Sequence, residues 1–162
     1  MSVQTSVSTN FAAGYAGDPL GDLIDEENKL AAVAINPGLF VCQGATDGVC
    51  KLPTSNAEVA KGIGIARSNI ARDPNFPSAS ATYPIGDTVS VIRKGRVWVT
   101  VEEAVTPFDP VYVRYDTGTG SQKGAFRASA DSSTAALVTG AKYRTTAGAG
   151  ALVLVEINLP QM

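Results

Sequence analysis

Side chains with well-known catalytic chemistry are few in this sequence. Histidine, the commonest general acid or base near neutral pH and the commonest zinc ligand, does not occur among its 162 residues. Glu102 and Glu103 are adjacent at a predicted strand end, where neighbouring side chains point to opposite faces and form no facing pair. Asp87 and Asp109 each precede a strand in a turn, where aspartate commonly accepts hydrogen bonds from local backbone amides. We therefore expect no enzyme and no catalytic residue.

The sequence also contains few residues that could bind a metal or a cofactor. The two cysteines, Cys42 and Cys50, are eight residues apart and have no histidine beside them, so they do not have the spacing of a zinc site. The sequence contains no acidic calcium-binding loop. We expect neither a metal nor a cofactor.

Positive charge offers the clearest binding chemistry. Arg93, Lys94 and Arg96 surround Gly95, and we interpret this run as a hairpin turn. Such a turn could hold a phosphate or an acidic strip of a partner, or its charges could simply be solvated. The net charge of −2 gives no overall basic field, so we expect no nucleic-acid partner.

The residues around this basic run are typical of β-strands. Between residues 86 and 115, valines alternate with polar or aromatic residues, which is the period of a half-buried antiparallel sheet. We predict three consecutive strands here, with Val97, Val99 and Val101 in one buried row. Trp98 is expected in the core rather than on a ligand-binding platform.

Further strands are predicted on both sides of this segment. The first begins at residue 30, and residues 39–53 read as a hairpin whose loop, 44–48, places Cys42 directly opposite Cys50. In a cytoplasm we expect free thiols, with a disulfide as the alternative outside the cell.

Residues 57–67 predict another strand, and its two glycines, Gly62 and Gly64, indicate a bulge or the close approach of another backbone. Residues 150–159 predict a final central strand, apolar on both faces in its first half. No stretch approaches the roughly 20 apolar residues that span a bilayer, so we expect a soluble protein without a membrane partner.

The first 28 residues differ from the rest, and we interpret them as an extended arm on a body of residues 29–162. They hold five acidic residues and no basic one, a net of −5, whereas the body holds 13 basic and 10 acidic residues, a net of +3. The acidic segment could lie on its own body, on a neighbouring copy or on a partner, or be solvated. Its apolar side chains, too widely spaced for a strand, give three partner-contact candidates: Phe11, Tyr15 and Leu20.

Residues 68–85 form the longest irregular stretch of the body, and loops of this length are usually functional or disordered. Ile70, Phe76 and Tyr83 are large apolar side chains for an exposed loop. They either contact a partner or fold back onto the body.

The order of these segments resembles a known family. A polar arm, a hairpin with ATDGVCKLP, then GIGIAR, YPIGDTVSVIRKGRVWVTV, VTPFDPVYVRY and a closing GALVLVEINLP resemble the structural cement, or capsid decoration, proteins of tailed bacteriophages. The resemblance covers most of residues 38–160. It implies an all-β fold, a small antiparallel β-barrel or jelly-roll-like sandwich with an extended N-terminal arm.

The resemblance also implies a function. Such a protein is made in the bacterial host cytoplasm and binds the outside of an icosahedral head, where it bridges neighbouring major capsid protein subunits. It associates with itself as a homodimer or, alternatively, a trimer. The competing interpretation is a carbohydrate-binding or receptor-binding β-sandwich, which would need an exposed aromatic platform.

Overall fold

The computed structural model describes residues 14–68, 82–117 and 122–160, apart from the side chains of residues 22 and 23. Strands dominate these ranges: β1 Pro19–Ala31, β2 Phe40–Gln43, β3 Val49–Lys51, β4 Gly62–Ala66, β5 Thr88–Thr100, β6 Tyr112–Arg114, β7 Phe126–Arg127, β8 Ala135–Leu137, β9 Ala141–Tyr143 and β10 Leu152–Asn158. One short helix, α1 Asn56–Val59, accompanies them. Within these ranges no helix is long and apolar enough to cross a membrane.

Five of the strands close into a barrel, as the predicted fold class required. The order β1-β3-β2-β4-β5 returns to β1 because β1 also pairs with β5, so the ring leaves none of the five with a free edge. The β1–β3 pair is parallel and the other four pairs are antiparallel. Buried apolar side chains fill the interior, among them Val41, Val89 and Val91. The all-β prediction is confirmed.

The strand β5 extends beyond the barrel and builds a second layer. Its second half pairs with β10, which in turn pairs with β9. A separate sheet in the order β7-β6-β8 supplies Val113, Phe126 and Ala136 to the core beneath. The predicted row of Val97, Val99 and Val101 is fully buried in this core, and the predicted final strand is confirmed as β10.

The predicted hairpin turn at residues 93–96 was wrong, because β5 runs without interruption from Thr88 to Thr100. Gly95 adopts a φ of 140° inside the strand and pairs with Ile157 of β10. On the other edge β1 bulges between Leu20 and Asp25, opposite the same glycine. Gly95 therefore lies where the strand passes from the barrel to the second sheet, rather than at a reversal of the chain.

The structure also begins its strands earlier than predicted. We expected no strand before residue 30, but β1 starts at Pro19, so residues 19–28, which we assigned to the arm, belong to a strand that pairs with β5. The bulge after Leu20 breaks the alternation of side chains between the two faces. Without that alternation the segment carried no recognisable period of two.

The predicted hairpin is confirmed as β2 and β3, but its register is shifted by one residue. Cys42 pairs with Lys51, and Cys50 pairs with Gln43, so the two thiols are not opposite each other. Both cysteines are free and buried, and Cys50 lies in the barrel interior. Burial raises the pKa of Cys42 to about 12 and that of Cys50 to about 11, so both thiols are protonated at neutral pH.

The strand predicted at residues 57–67 is shorter than expected, because α1 occupies its beginning and β4 starts at Gly62. The prediction for its two glycines is confirmed. A Cβ atom on Gly62 would lie 1.9 Å from the Phe40 ring, and one on Gly64 would lie 2.3 Å from the carbonyl oxygen of Ile92. Only glycine allows β2 and β5 to approach β4 this closely.

Two buried arginines join the small sheet to the end of β5. Arg114 is 3% exposed and donates to both carboxylate oxygens of Glu102 at 2.8 and 2.9 Å and to Asp131 at 2.7 Å. Arg127 contacts Glu102 at 3.2 Å, Glu103 at 3.3 Å and Asp131 at 2.8 Å. The expectation that Glu102 and Glu103 diverge was wrong, because the chain bends after β5 and turns both carboxylates towards Arg127.

Substituting Val99→Asp should unfold the body, because it places an unpaired charge in the fully buried valine row. The expected loss in the free energy of unfolding is about 4 kcal/mol or more. Thr100→Asp is the matched control, since Thr100 is the next residue of β5 and is exposed. Chemical denaturation of both variants checks the assignment of faces, and equal stability of the two would contradict it.

Substituting Arg114→Ala should destabilise the protein by about 3 kcal/mol, because it removes the guanidinium that binds both carboxylate oxygens of Glu102 and leaves this carboxylate with the longer contact to Arg127 at 3.2 Å. Arg144→Ala is the comparison, because Arg144 also binds a carboxylate but does so at the surface, where such pairs contribute little. Thermal and urea unfolding of the two variants gives the difference. If Arg114→Ala unfolds at the wild-type denaturant concentration, the buried cluster has no stabilising role.

Candidate docking surface

The sheet of β5, β10 and β9 covers the core with one face and turns the other outward. Cross-strand pairs arrange the outward side chains in rows across the sheet. We call this surface the outer sheet face, and its residues are Leu20, Lys94, Arg96, Trp98, Lys142, Arg144, Leu154, Glu156 and Asn158. Trp98 is partly exposed on this face and belongs to neither hydrophobic core, contrary to the prediction.

A groove of about 390 Å³ crosses one end of the outer sheet face. Leu20, Lys94, Arg96 and Ile157 line it, together with Gly95. The groove lies beside the bulge of β1, at the point where the pairing of β1 with β5 changes register. The structure thus brings together three of the predicted contact residues, Leu20, Lys94 and Arg96.

The basic run itself divides between the two faces of β5. Arg93 turns away from the groove, is largely buried, and pairs with Asp25 at 2.6 Å. Arg96 is half-exposed and contacts Glu156 at 3.2 Å. Lys94 is exposed and has no ion-pair partner within the described part of the chain. Of the three cations, Lys94 and Arg96 are available on the surface and Arg93 is not.

Two carboxylates of the acidic N-terminal segment bind the body, which is one of the alternatives left open by the sequence. Besides the Asp25–Arg93 pair, Glu26 binds Arg67 at 2.7 Å, and both of these carboxylates belong to β1. These contacts join β1 to β5 and to the end of β4. Arginines of the same chain therefore neutralise the negative charge of Asp25 and Glu26.

The segment that leads into β1 is held at the edge of the outer sheet face. We call residues 14–18 the arm root. Gly17 donates its N–H to the carbonyl of Trp98 at 2.7 Å, and Trp98 donates its N–H to the carbonyl of Asp18 at 2.9 Å. Ser68 donates its N–H to the carbonyl of Gly17 at 2.9 Å. Three backbone hydrogen bonds thus fix two consecutive residues of the arm root against β5 and the end of β4.

Side-chain and steric contacts tighten the arm root further. The carboxylate of Asp18 accepts a hydrogen bond from the N–H of Tyr15 at 2.8 Å and another from the hydroxyl of Ser68. Gly17 has a φ of +87°, and a Cβ atom there would lie 2.6 Å from the nitrogen of Ser68. No other residue type fits this position without displacing backbone. Tyr15, another predicted contact residue, is therefore part of a rigid junction.

The remaining predicted contact residues do not join this surface. Phe11, Ile70 and Phe76 lie outside the described residues. Tyr83 was expected in a contact loop, but it is 1% exposed and packs in the barrel interior, with its hydroxyl donating to the carbonyl of Arg67 at 2.8 Å. For Tyr83 the alternative that the side chain folds back onto the body is the correct one.

Sequence reasoning missed an exposed aromatic residue. Phe108 is 97% exposed at the tip of a turn. The carboxylate of Asp109 accepts hydrogen bonds from the N–H of Thr106 at 2.7 Å and from its hydroxyl at 2.9 Å, the local role predicted for this aspartate. The sequence does contain a signal for this exposure, because the aromatic residue stands within the turn sequence TPFDP.

The chemistry offered by these side chains is charge, hydrogen bonding and apolar contact. No group of three or more histidine, cysteine, aspartate or glutamate side chains in the described ranges is arranged to hold a metal ion. The hydrogen bond from Arg144 lowers the pKa of Glu156, which is therefore ionised at neutral pH. The outer sheet face is suited to binding another charged surface.

Comparison with solved structures supports the fold. A chain of "The capsid of Myoviridae Phage XM1" superposes with a TM-score of 0.70 at 21% sequence identity, covering 98% of this chain and 98% of that chain. A chain of "The crystal structure of head fiber gp8.5 N base in bacteriophage phi29" gives a TM-score of 0.44 at 15% identity, covering 86% of this chain and 100% of that chain. The second likeness is too low to support an argument.

No curated protein matches the sequence. A family model does: the family described as "Structural cement protein (E217 gp24/Pam3 gp6)" matches residues 3–158. The match spans nearly the whole chain, including the barrel, the second sheet and the arm root, and it confirms the resemblance found in the sequence. The chain therefore belongs to the structural cement protein family and is a virion structural protein associated with the phage capsid.

Proposed function

We propose that this cement protein binds the outside of an icosahedral head and bridges neighbouring major capsid protein subunits, without catalysing a reaction. The observation that carries the proposal, beside the family, is the arm root. It fixes the start of an N-terminal arm to the body beside an exposed, charged sheet face. Two contact elements on one rigid junction suit a protein that has to hold two subunits together.

Force on the N-terminal arm would pass to the body through the arm root. A load on the arm reaches Gly17 and Asp18, whose backbone hydrogen bonds run to β5 and to Ser68, the second residue after β4. Because β5 belongs to both layers, the load spreads over the whole fold instead of peeling off a single strand. Once the body is bound, attachment of the arm is intramolecular and gains from a high effective concentration.

The carbohydrate-binding alternative finds less support. Sugar platforms use exposed aromatic rings, and on the outer sheet face the ring of Trp98 is only partly exposed because the arm root packs beside it. Phe108 is exposed, but it stands at a turn tip and not on a flat platform. No contact in the described ranges favours a glycan over a protein partner.

We further propose that the protein is made in the cytoplasm of the bacterial host and assembles as a homodimer, with a trimer as the alternative. Among the described strands, β9 ends the order of the larger sheet and pairs only with β10. An edge of this kind supports symmetric pairing with a second copy. Size-exclusion chromatography with light scattering distinguishes the two assemblies.

Deleting residues 1–13 should sharply weaken attachment to heads and leave the body folded. A cut at residue 28 would not test this, because it removes most of β1 and opens the barrel. The control replaces residues 1–13 with a glycine-serine segment of equal length, which keeps the arm root flanked by chain. Both variants should have the melting temperature of the wild type and should co-sediment poorly with heads that lack the cement protein. Wild-type attachment by the truncated protein would contradict a role of the arm in bridging.

A further inference from the structure

We propose that the outer sheet face is the docking surface for a carboxylate-rich stretch of a capsid protein subunit. The proposal rests on the proposed function and deepens it by naming the surface and the chemistry of its partner. Three features carry it: an excess of positive charge, a carboxylate shared between two arginines, and continuity with the arm root.

The first feature is the charge of the face. It carries four cations, Lys94, Arg96, Lys142 and Arg144, and one carboxylate, Glu156, which gives a net of +3 in a chain whose net charge is −2. Counting Asp18 at its edge still leaves +2. Lys94 and Lys142 are both exposed, and neither has an ion-pair partner in the described ranges. The body neutralises carboxylates of β1 with its own arginines but leaves this face positive.

The second feature is the geometry at Glu156. Arg96 contacts its Oε2 atom through Nε at 3.2 Å, and Arg144 contacts the same oxygen through Nε at 2.9 Å and Nη2 at 2.8 Å. A guanidinium group has five N–H donors, so both arginines keep donors that one shared carboxylate oxygen does not use. Glu156 also orients the two guanidinium groups. An incoming carboxylate would meet oriented donors and an unneutralised positive charge.

The third feature is position. Trp98 and Leu154 are paired at the centre of the face, and Leu20 lines the groove at its end, so apolar side chains lie between the cations. Interfaces commonly combine such an apolar centre with arginines and a charged rim. The arm root packs against Trp98, so a partner that receives the arm lies close to this face.

The mixture of apolar and basic groups fits a protein partner better than a nucleic acid. A phosphate backbone needs a continuous basic track, whereas Glu156 interrupts the row of cations and the chain as a whole repels polyanions. An acidic peptide segment offers both carboxylates for the cations and apolar side chains for the groove.

The experiment compares two double variants with the same change of charge. Lys94→Glu with Lys142→Glu reverses the two unpaired cations of the face and breaks no ion pair. Lys61→Glu with Lys123→Glu is the control, because neither of these lysines lies on the face. Melting temperatures establish that both variants fold. Binding is then measured on purified heads that lack the cement protein, at low and at physiological salt.

We expect the face variant to bind at least about tenfold more weakly than the wild type, with a slower association rate and a smaller dependence on salt. The control should bind like the wild type. Equal binding by all three proteins, or an equal loss in both variants, would overturn the docking face while leaving the cement role intact. Failure of the wild type itself to bind heads would instead contradict the proposed function.

A second probe tests the chemistry of the partner directly. A poly-glutamate peptide, added to the labelled wild-type protein, should shift the resonances of Arg96, Trp98 and Arg144 and leave those of the face variant unchanged. A DNA duplex should not produce these shifts at the same charge concentration. Stronger binding of the duplex to the same residues would overturn the assignment of a protein partner in favour of a nucleic acid.

Discussion

The structure depends on one strand that serves two layers. The first half of β5 closes the barrel between β1 and β4, and its second half forms the second sheet with β10. The change of partner requires one residue without a side chain, at Gly95, and a bulge in β1 opposite it. The groove on the outer sheet face lies beside this bulge. The groove is thus found where a single strand joins the barrel to the second sheet.

The junction also explains where polar groups are buried. A closed barrel interior can be filled with valine, isoleucine and alanine, because its strands satisfy their backbone groups around the ring. The small sheet of β6, β7 and β8 meets the end of β5, where regular pairing stops. There Arg114 and Arg127 bridge carboxylates and hydroxyls of separate loops. Hydrogen-bonded ion pairs of this kind hold irregular segments in one arrangement where apolar packing alone offers several.

The sequence predicted well wherever a side-chain period was unbroken. Val97, Val99 and Val101 stand at every second position, as do the apolar residues of β10 from Val153 to Ile157, and these buried rows fell where predicted. The glycines of β4 also had a direct physical meaning, since a bare backbone face allows close approach. The predictions were wrong where a bulge or a register shift intervened. The bulge in β1 hid a strand from Pro19, and a shift of one residue in the β2–β3 hairpin separated two cysteines expected to be opposite. Neither the bulge nor the register shift changes the amino-acid composition of its segment, so neither leaves a local signal in the sequence.

The candidate site was predictable in its residue types but not in its assembly. Leu20 and Lys94 are far apart in sequence and come together because β1 and β5 pair antiparallel across the bulge, whereas Lys142 joins them only through β10. A run such as Arg93 to Arg96 looks like one patch in the sequence, yet strand alternation sends Arg93 to Asp25 and leaves Lys94 and Arg96 outside. What a surface offers to a partner is the charge that remains after its side chains have formed ion pairs within the chain. That residual charge depends on the register of three strands, and only the folded structure supplies the register.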